Sequence, residues 1–223
     1  MLLPTSLLAS ELPADITELC ASKLSAVIRD RQVSCLEVMQ AYLERIERYN
    51  PVYNAIVNLA EADGLLDQAR RADVALDRGE YWGWMHGMPH AVKDLANVEG
   101  MITTSGSRVY ADRVASSDSA LVANIRRQGA IFIGKTNTPE FGVGSQTYNA
   151  VFGATGSAWN PALTAGGSSG GAACGLGTHM LPVADGSDLD RKSGGEGRGG
   201  GNGGRASWIK KTERRNATHT CRD

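Results

Sequence analysis

The sequence predicts an α/β fold, a mixed β-sheet core flanked by helices, on three observations. Amphipathic helical segments alternate with short apolar runs of strand length along most of the chain. A length of 223 residues suits one good-sized domain with a small appendage. Apolar residues at 42% support a buried core, and charged residues at 21% sit near the globular norm.

The elements follow in order. Residues 20–49 read as two helices, the first with Leu24, Val27 and Ile28 on one face. The second opens on Ser34-Cys35-Leu36-Glu37, a capping box in which serine and glutamate each satisfy an unpaired backbone N–H. Val38, Met39, Tyr42, Leu43 and Ile46 then recur at helical spacing, with Glu44, Arg45 and Glu47 between them. Asn50-Pro51 is expected to end this helix, because a residue before proline is pushed out of the helical region. Residues 54–59 form a short strand, and a long charged helix runs to about Arg78 with Gly79 as its C-cap. Residues 88–95 read as a buried strand interrupted by polar groups, 119–128 as an amphipathic helix and 130–134 as an apolar strand. A further helix starts near Gly170, and residues 181–184 lead into another strand.

The chain divides at residue 189. From Asp190 onward there are nine Lys/Arg against four Asp/Glu, a net of +5, which leaves −6 for residues 1–189 given the total of −1. Residues 193–205 hold no hydrophobic side chain and are mostly Gly and Arg; such a segment buries too little apolar surface to offset its ordering entropy. Residues 190–223 are therefore expected to be a disordered Gly/Arg-rich tail. The abrupt change of composition suggests a shifted reading frame or a chimeric gene.

Cys20, Cys35, Cys174 and Cys221 are scattered without a C-x-x-C pair, which argues against a disulfide framework or a zinc site and for a reducing cytoplasm. His86 and His90 are four apart with no third ligand nearby, so no metal is expected. The first residues lack the basic group and long apolar run of a signal peptide, and no stretch approaches a membrane span.

Two features carry chemistry. Gly166-Gly167-Ser168-Ser169-Gly170-Gly171 sets two serines between paired glycines just before a helix, so its backbone can approach a ligand closely and its N–H groups converge. By itself this is either a flexible turn or an anion cradle at a helix N-terminus, although no Gly-Lys-Ser/Thr follows. Lys93 lies in the apolar run Gly87-Met88-Pro89-His90-Ala91-Val92-Lys93-Asp94-Leu95, where a solvated lysine is unusual. It is either paired with a carboxylate or kept neutral by desolvation, and a neutral lysine is a usable general base. Asp94 is a poor partner, since adjacent strand residues point to opposite faces.

Read together and in order, several stretches resemble the amidase signature family. They are Leu43-Glu44-Arg45-Ile46; Tyr49-Asn50-Pro51 with Asn54-Ala55; His86-Gly87-Met88-Pro89 leading to Val92-Lys93-Asp94; Thr103-Thr104-Ser105-Gly106-Ser107; Gly129-Ala130 with Gly134-Lys135-Thr136-Asn137-Thr138-Pro139-Glu140-Phe141; Ala165 to Gly171; and Leu181-Pro182-Val183-Ala184-Asp185-Gly186-Ser187-Asp188. The resemblance covers roughly residues 20–189 and implies the amidase signature fold, truncated, because the family's chains are about twice this length.

The resemblance also implies roles. Lys93 resembles the family's base, and Ser168 the bridging serine that follows a cis peptide bond. Ser169 resembles a hydrogen-bonding neighbour of the same loop. Neutral Lys93 takes a proton from Ser168, which takes one from a nucleophilic serine that attacks the amide carbon. In the family, Gly-Ser/Thr-Asp-x is followed by two small residues and then that serine. Here Gly186-Ser187-Asp188-Leu189 is followed by Asp190, Arg191 and Lys192, so Lys192 occupies the nucleophile's position. Ser193 stands one position late. The expectation is an amidase by descent, cleaving a carboxamide C–N bond of a small molecule in the cytoplasm, without cofactor or membrane, with a homodimer left open. The chain itself is expected to be inactive. The alternatives are a fragment that only binds a ligand, or nucleic-acid binding through the tail, which the sequence disfavours.

Overall fold

In the computed structural model, residues 12–187 and 207–210 are described; Lys192, Ser193 and all of the 190–223 segment except 207–210 lie outside them. The helices are α1 (Ala21–Arg29), α2 (Cys35–Tyr53), α3 (Ala62–Asp77), α4 (Ala120–Arg127) and α5 (Gly170–Gly177). The strands are β1 (Ile56–Val57), β2 (Pro89–Lys93), β3 (Ile131–Thr136), β4 (Tyr148–Asn149), β5 (Gly153–Ala154), β6 (Gly156–Ser157), β7 (Asn160–Thr164), β8 (Val183–Gly186) and β9 (Ser207–Lys210).

The sheet at the centre has the order β1-β3-β2, with β1 antiparallel and β2 parallel to β3. The parallel pair is joined through α4, and every residue of β2 and β3 is buried, as expected of strands covered on both faces. Helices α1, α2 and α3 supply Leu24, Ile28, Met39, Tyr42, Ile46, Leu65 and Ala69 to the core. This is the mixed α/β architecture that the alternating pattern predicts. Short antiparallel ribbons β4–β5 and β6–β7 lead to the serine loop and α5. β8 then pairs antiparallel with β9, the one described strand within the 190–223 segment.

Local chemistry explains most boundaries. Ser34 and Glu37 form the reciprocal capping box at the start of α2. α3 ends in a Schellman turn, with the N–H of Gly79 on the carbonyl of Leu76 and that of Glu80 on Ala75. Asn50-Pro51 does not end α2, contrary to the expectation. The helix runs on to Tyr53 and stops at Asn54, which takes a left-handed conformation (φ 49°). The Asn50 side chain spans the exit: its Oδ1 accepts from the N–H of Ala55 and Ile56, and its amide donates to the Ile56 carbonyl. The strand expected at 54–59 shrinks to Ile56–Val57, because Asn54 and Asn58 both adopt positive φ. Likewise 88–95 narrows to Pro89–Lys93, and Leu95 and Ala96 turn back onto the Lys93 carbonyl. Among the described residues no helix is long and apolar enough to cross a membrane.

Candidate active site

Lys93 ends β2 and is only 1% exposed. Its amine nitrogen lies within hydrogen-bond distance of Ser168 Oγ at 2.7 Å, Ser169 Oγ at 2.9 Å and Ser187 Oγ at 3.0 Å. Three hydroxyls thus gather on one buried nitrogen, and all three serines are half-buried. The Ser168 and Ser169 hydroxyls also reach the Ser187 carbonyl at 3.4 and 3.3 Å, and the Ser187 N–H returns to Ser169 Oγ at 3.2 Å. The Gly167–Ser168 peptide bond is cis, as the resemblance implies.

The loop is held from both sides. Thr138 Oγ1 donates to the Ser168 carbonyl at 3.2 Å, and Thr147 Oγ1 accepts the first N–H of α5, from Gly170, at 3.0 Å. Both threonines are fully buried. The glycines allow this closeness: a Cβ on Gly171 would lie 2.3 Å from Asn137 N, and one on Gly167 3.0 Å from the Gln146 backbone. Beneath them, Asn137 and Asn149 bind each other and fix the 151–155 turn through Val151, Phe152 and Thr155.

A buried carboxylate ties the two halves of the site together. Asp185 on β8 accepts the Lys93 backbone N–H at 3.1 Å and faces His90 Nε2 at 3.3 Å. Ser187 follows two residues later, so the contact that places the lysine backbone also places the third hydroxyl. Asp94 points away from this cluster, as strand alternation requires, and binds the N–H and hydroxyl of Thr104. Behind it, Lys135 donates to the Ala96 carbonyl, and burial lowers its pKa to about 8. Burial also raises Asp94 above the usual carboxylate range.

Other groups are engaged elsewhere. His86 binds the Ala72 carbonyl and packs beside Trp82, with its pKa lowered by burial. Cys174, on α5, is 1% exposed, and burial pushes its thiol to about 12, so it offers no thiolate near neutrality.

A cleft of about 890 Å³ adjoins the loop. Phe141, Val143 and Tyr148 give it apolar, exposed walls, and Ser145 and Gln146 line it where their backbone meets Gly167.

Lys93, Ser168 and Ser169, the residues that the sequence singles out, are brought together by the structure. Ser187, Asp185, Thr138 and Thr147 join them without any role expected from sequence. Ser187 and Asp185 stand inside the 181–188 stretch, where strand alternation after Val183 is a signal that could have flagged them. Thr147, isolated between loops, carries no such signal.

Residues 37–190 match the amidase family. The chain belongs to that family. It is 39% identical over 175 residues to the A subunit of the glutamyl-tRNA(Gln) amidotransferase of Acidothermus cellulolyticus, covering 78% of this chain and 34% of that protein. It is 36% identical over 170 residues to an acylamidase of Rhodococcus erythropolis, covering 76% and 35%. Among solved structures, a fatty acid amide hydrolase superposes with a TM-score of 0.73 at 27% identity, over 78% of this chain and 31% of that one. The chain thus spans about a third of the length of these relatives.

Proposed function

We propose that this site is the proton-relay part of a carboxamide hydrolase, with Lys93 as base and Ser168 as the hydroxyl that passes the proton. The observation that carries the reading is the 2.7 Å contact between Lys93 Nζ and Ser168 Oγ inside a buried, three-serine cluster. Unprotonated Lys93 takes the Ser168 proton as Ser168 takes one from an attacking hydroxyl, so charge never has to cross open solvent. Ser169 and Ser187 hold the lysine in line. The acyl or amine portion of a small amide would lie in the cleft between Phe141, Val143 and Tyr148.

The attacking hydroxyl itself is the weak point. Lys192 stands where the family's nucleophilic serine is expected, and Asp190 and Arg191 stand where small residues would let backbone N–H groups stabilise the tetrahedral oxyanion. The chain is therefore read as incompetent for amide cleavage, with residues 190–223 as a foreign tail and the cytoplasm as its compartment.

The test is ammonia release from a panel of small carboxamides. The native chain should release none above background. The triple variant Asp190→Gly, Arg191→Gly, Lys192→Ser should gain release that Lys93→Met removes. Native turnover that survives Lys93→Met would sink the assignment.

A further inference from the structure

Ser168 need not serve only as a relay. Its oxygen is the nearest of the three hydroxyls to Lys93 Nζ, at 2.7 Å against 2.9 and 3.0 Å. Ser169 Oγ already accepts the Ser187 N–H, which draws electron density from that oxygen. Ser187 Oγ is the farthest from the amine. Ser168 is also pinned at its carbonyl by Thr138, while Thr147 takes the N–H of Gly170 two residues on, so the backbone that carries its hydroxyl is held in place. The residue is half-buried, while its base is 1% exposed.

From this geometry we infer that, in a chain with lysine at position 192, Ser168 and Lys93 act as a two-residue nucleophile–base pair toward activated aryl esters. The inference rests on Lys93 being the base, as in the reading above, but asks for a different nucleophile and a different substrate class.

The chemistry balances. Ser168 Oγ bonds to the ester carbonyl carbon as its proton passes to Lys93 Nζ, and the C–O bond to the aryl group breaks to release a phenolate. Lys93 then gives that proton up to solvent, which balances the charge of the released phenolate. Water attacks the acyl-serine as its proton passes to Lys93 and from Lys93 to Ser168 Oγ, and the carboxylic acid leaves. A phenolate departs without protonation and from a less demanding transition state than an amine. The pair can therefore act on aryl esters, which ask less of an oxyanion hole than amides do. The activity is slow and restricted to good leaving groups.

4-Nitrophenyl acetate and the full-length chain test this, with phenolate release followed by absorbance and the acetylated residue mapped by mass spectrometry. The expected result is acetyl on Ser168, absent from Ser168→Ala. Lys93→Met should slow acylation by roughly 100-fold, the usual worth of a general base. Cooperative melting of each variant shows that it is folded. Acetyl confined to Ser169, Ser187 or Lys93, or no adduct on the folded native chain, overturns the inference. Acylation of Ser168 at an unchanged rate in Lys93→Met overturns the base assignment as well. Ammonia release by the position-192 variant without any ester acylation of the native chain would remove this inference alone.

Discussion

Around Lys93 the structure concentrates polar groups that would be costly to bury singly, and the amine and the three serine hydroxyls answer one another. The glycines beside them show how little room remains. A methyl group on Gly171 would meet backbone atoms of Asn137 and Ala55 at 2.3–2.7 Å, and backbone cannot step aside. On Gly170 it would meet the Thr147 side chain, also at 2.3 Å, which can give at the expense of its hydrogen bond. Gly171→Ala should therefore destabilise more than Gly170→Ala, by about 3 kcal/mol or more against about 2, measured by urea unfolding. Lys135 offers a pH test. Burial lowers it from 10.5 to about 8, so the unfolded chain binds its proton more tightly than the folded one. Its burial penalty is full below about pH 8 and is relieved as pH rises toward 10.5, by at most about 3 kcal/mol. Lys135→Met should therefore gain stability relative to native at pH 7, and that gain should shrink by about pH 10. A pH-independent difference would refute the buried-lysine explanation. Lys93 and both serines of the loop are legible in the sequence through motif and apolar context. Asp185 and Ser187 escape because their roles depend on β8 lying beside β2, a contact of 92 to 94 residues' separation.

Among the elements, the helices are the most legible. Their periodicity, the Ser34–Glu37 box and the Gly79 cap are local signals, and local signals survive without knowledge of neighbours. Pro51 shows the opposite case. The rule that proline ends a helix at the preceding residue is a statement about backbone sterics, and here the side-chain bonds of Asn50 to Ala55 and Ile56, five and six residues on, set the exit one turn later. Asn50→Ala removes three hydrogen bonds at that exit and should cost about 2 kcal/mol, against about 1 kcal/mol for Ser34→Ala at the capping box. Chemical denaturation of both variants checks the order. The ribbons β4–β7 carry no readable pattern, because two-residue strands are shorter than any alternation, and β7 is exposed throughout.

At the scale of the whole molecule, the buried lysine–serine cluster sits on a chain that spans about a third of the length of its relatives. Large apolar side chains stand exposed, including Trp159 and Leu163 beside and on the β7 ribbon at 69% and 61%. Surfaces of this kind self-associate. Sedimentation should show concentration-dependent association of the native chain, reduced in the double variant Trp159→Lys, Leu163→Lys; a strictly monomeric native chain would refute this. The fold class is legible because alternation of elements needs no long-range information, whereas the proposed relay depends most on the residue at position 192. A fluorophosphonate probe with mass-spectrometric mapping reads that position, on the native chain and on the variant Asp190→Gly, Arg191→Gly, Lys192→Ser. The adduct should form on Ser168 in the native chain, move to position 192 in the variant, and vanish from both with Lys93→Met. An adduct indifferent to Lys93→Met, or one that stays on Ser168 once a serine stands at position 192, would overturn the relay and its division of roles.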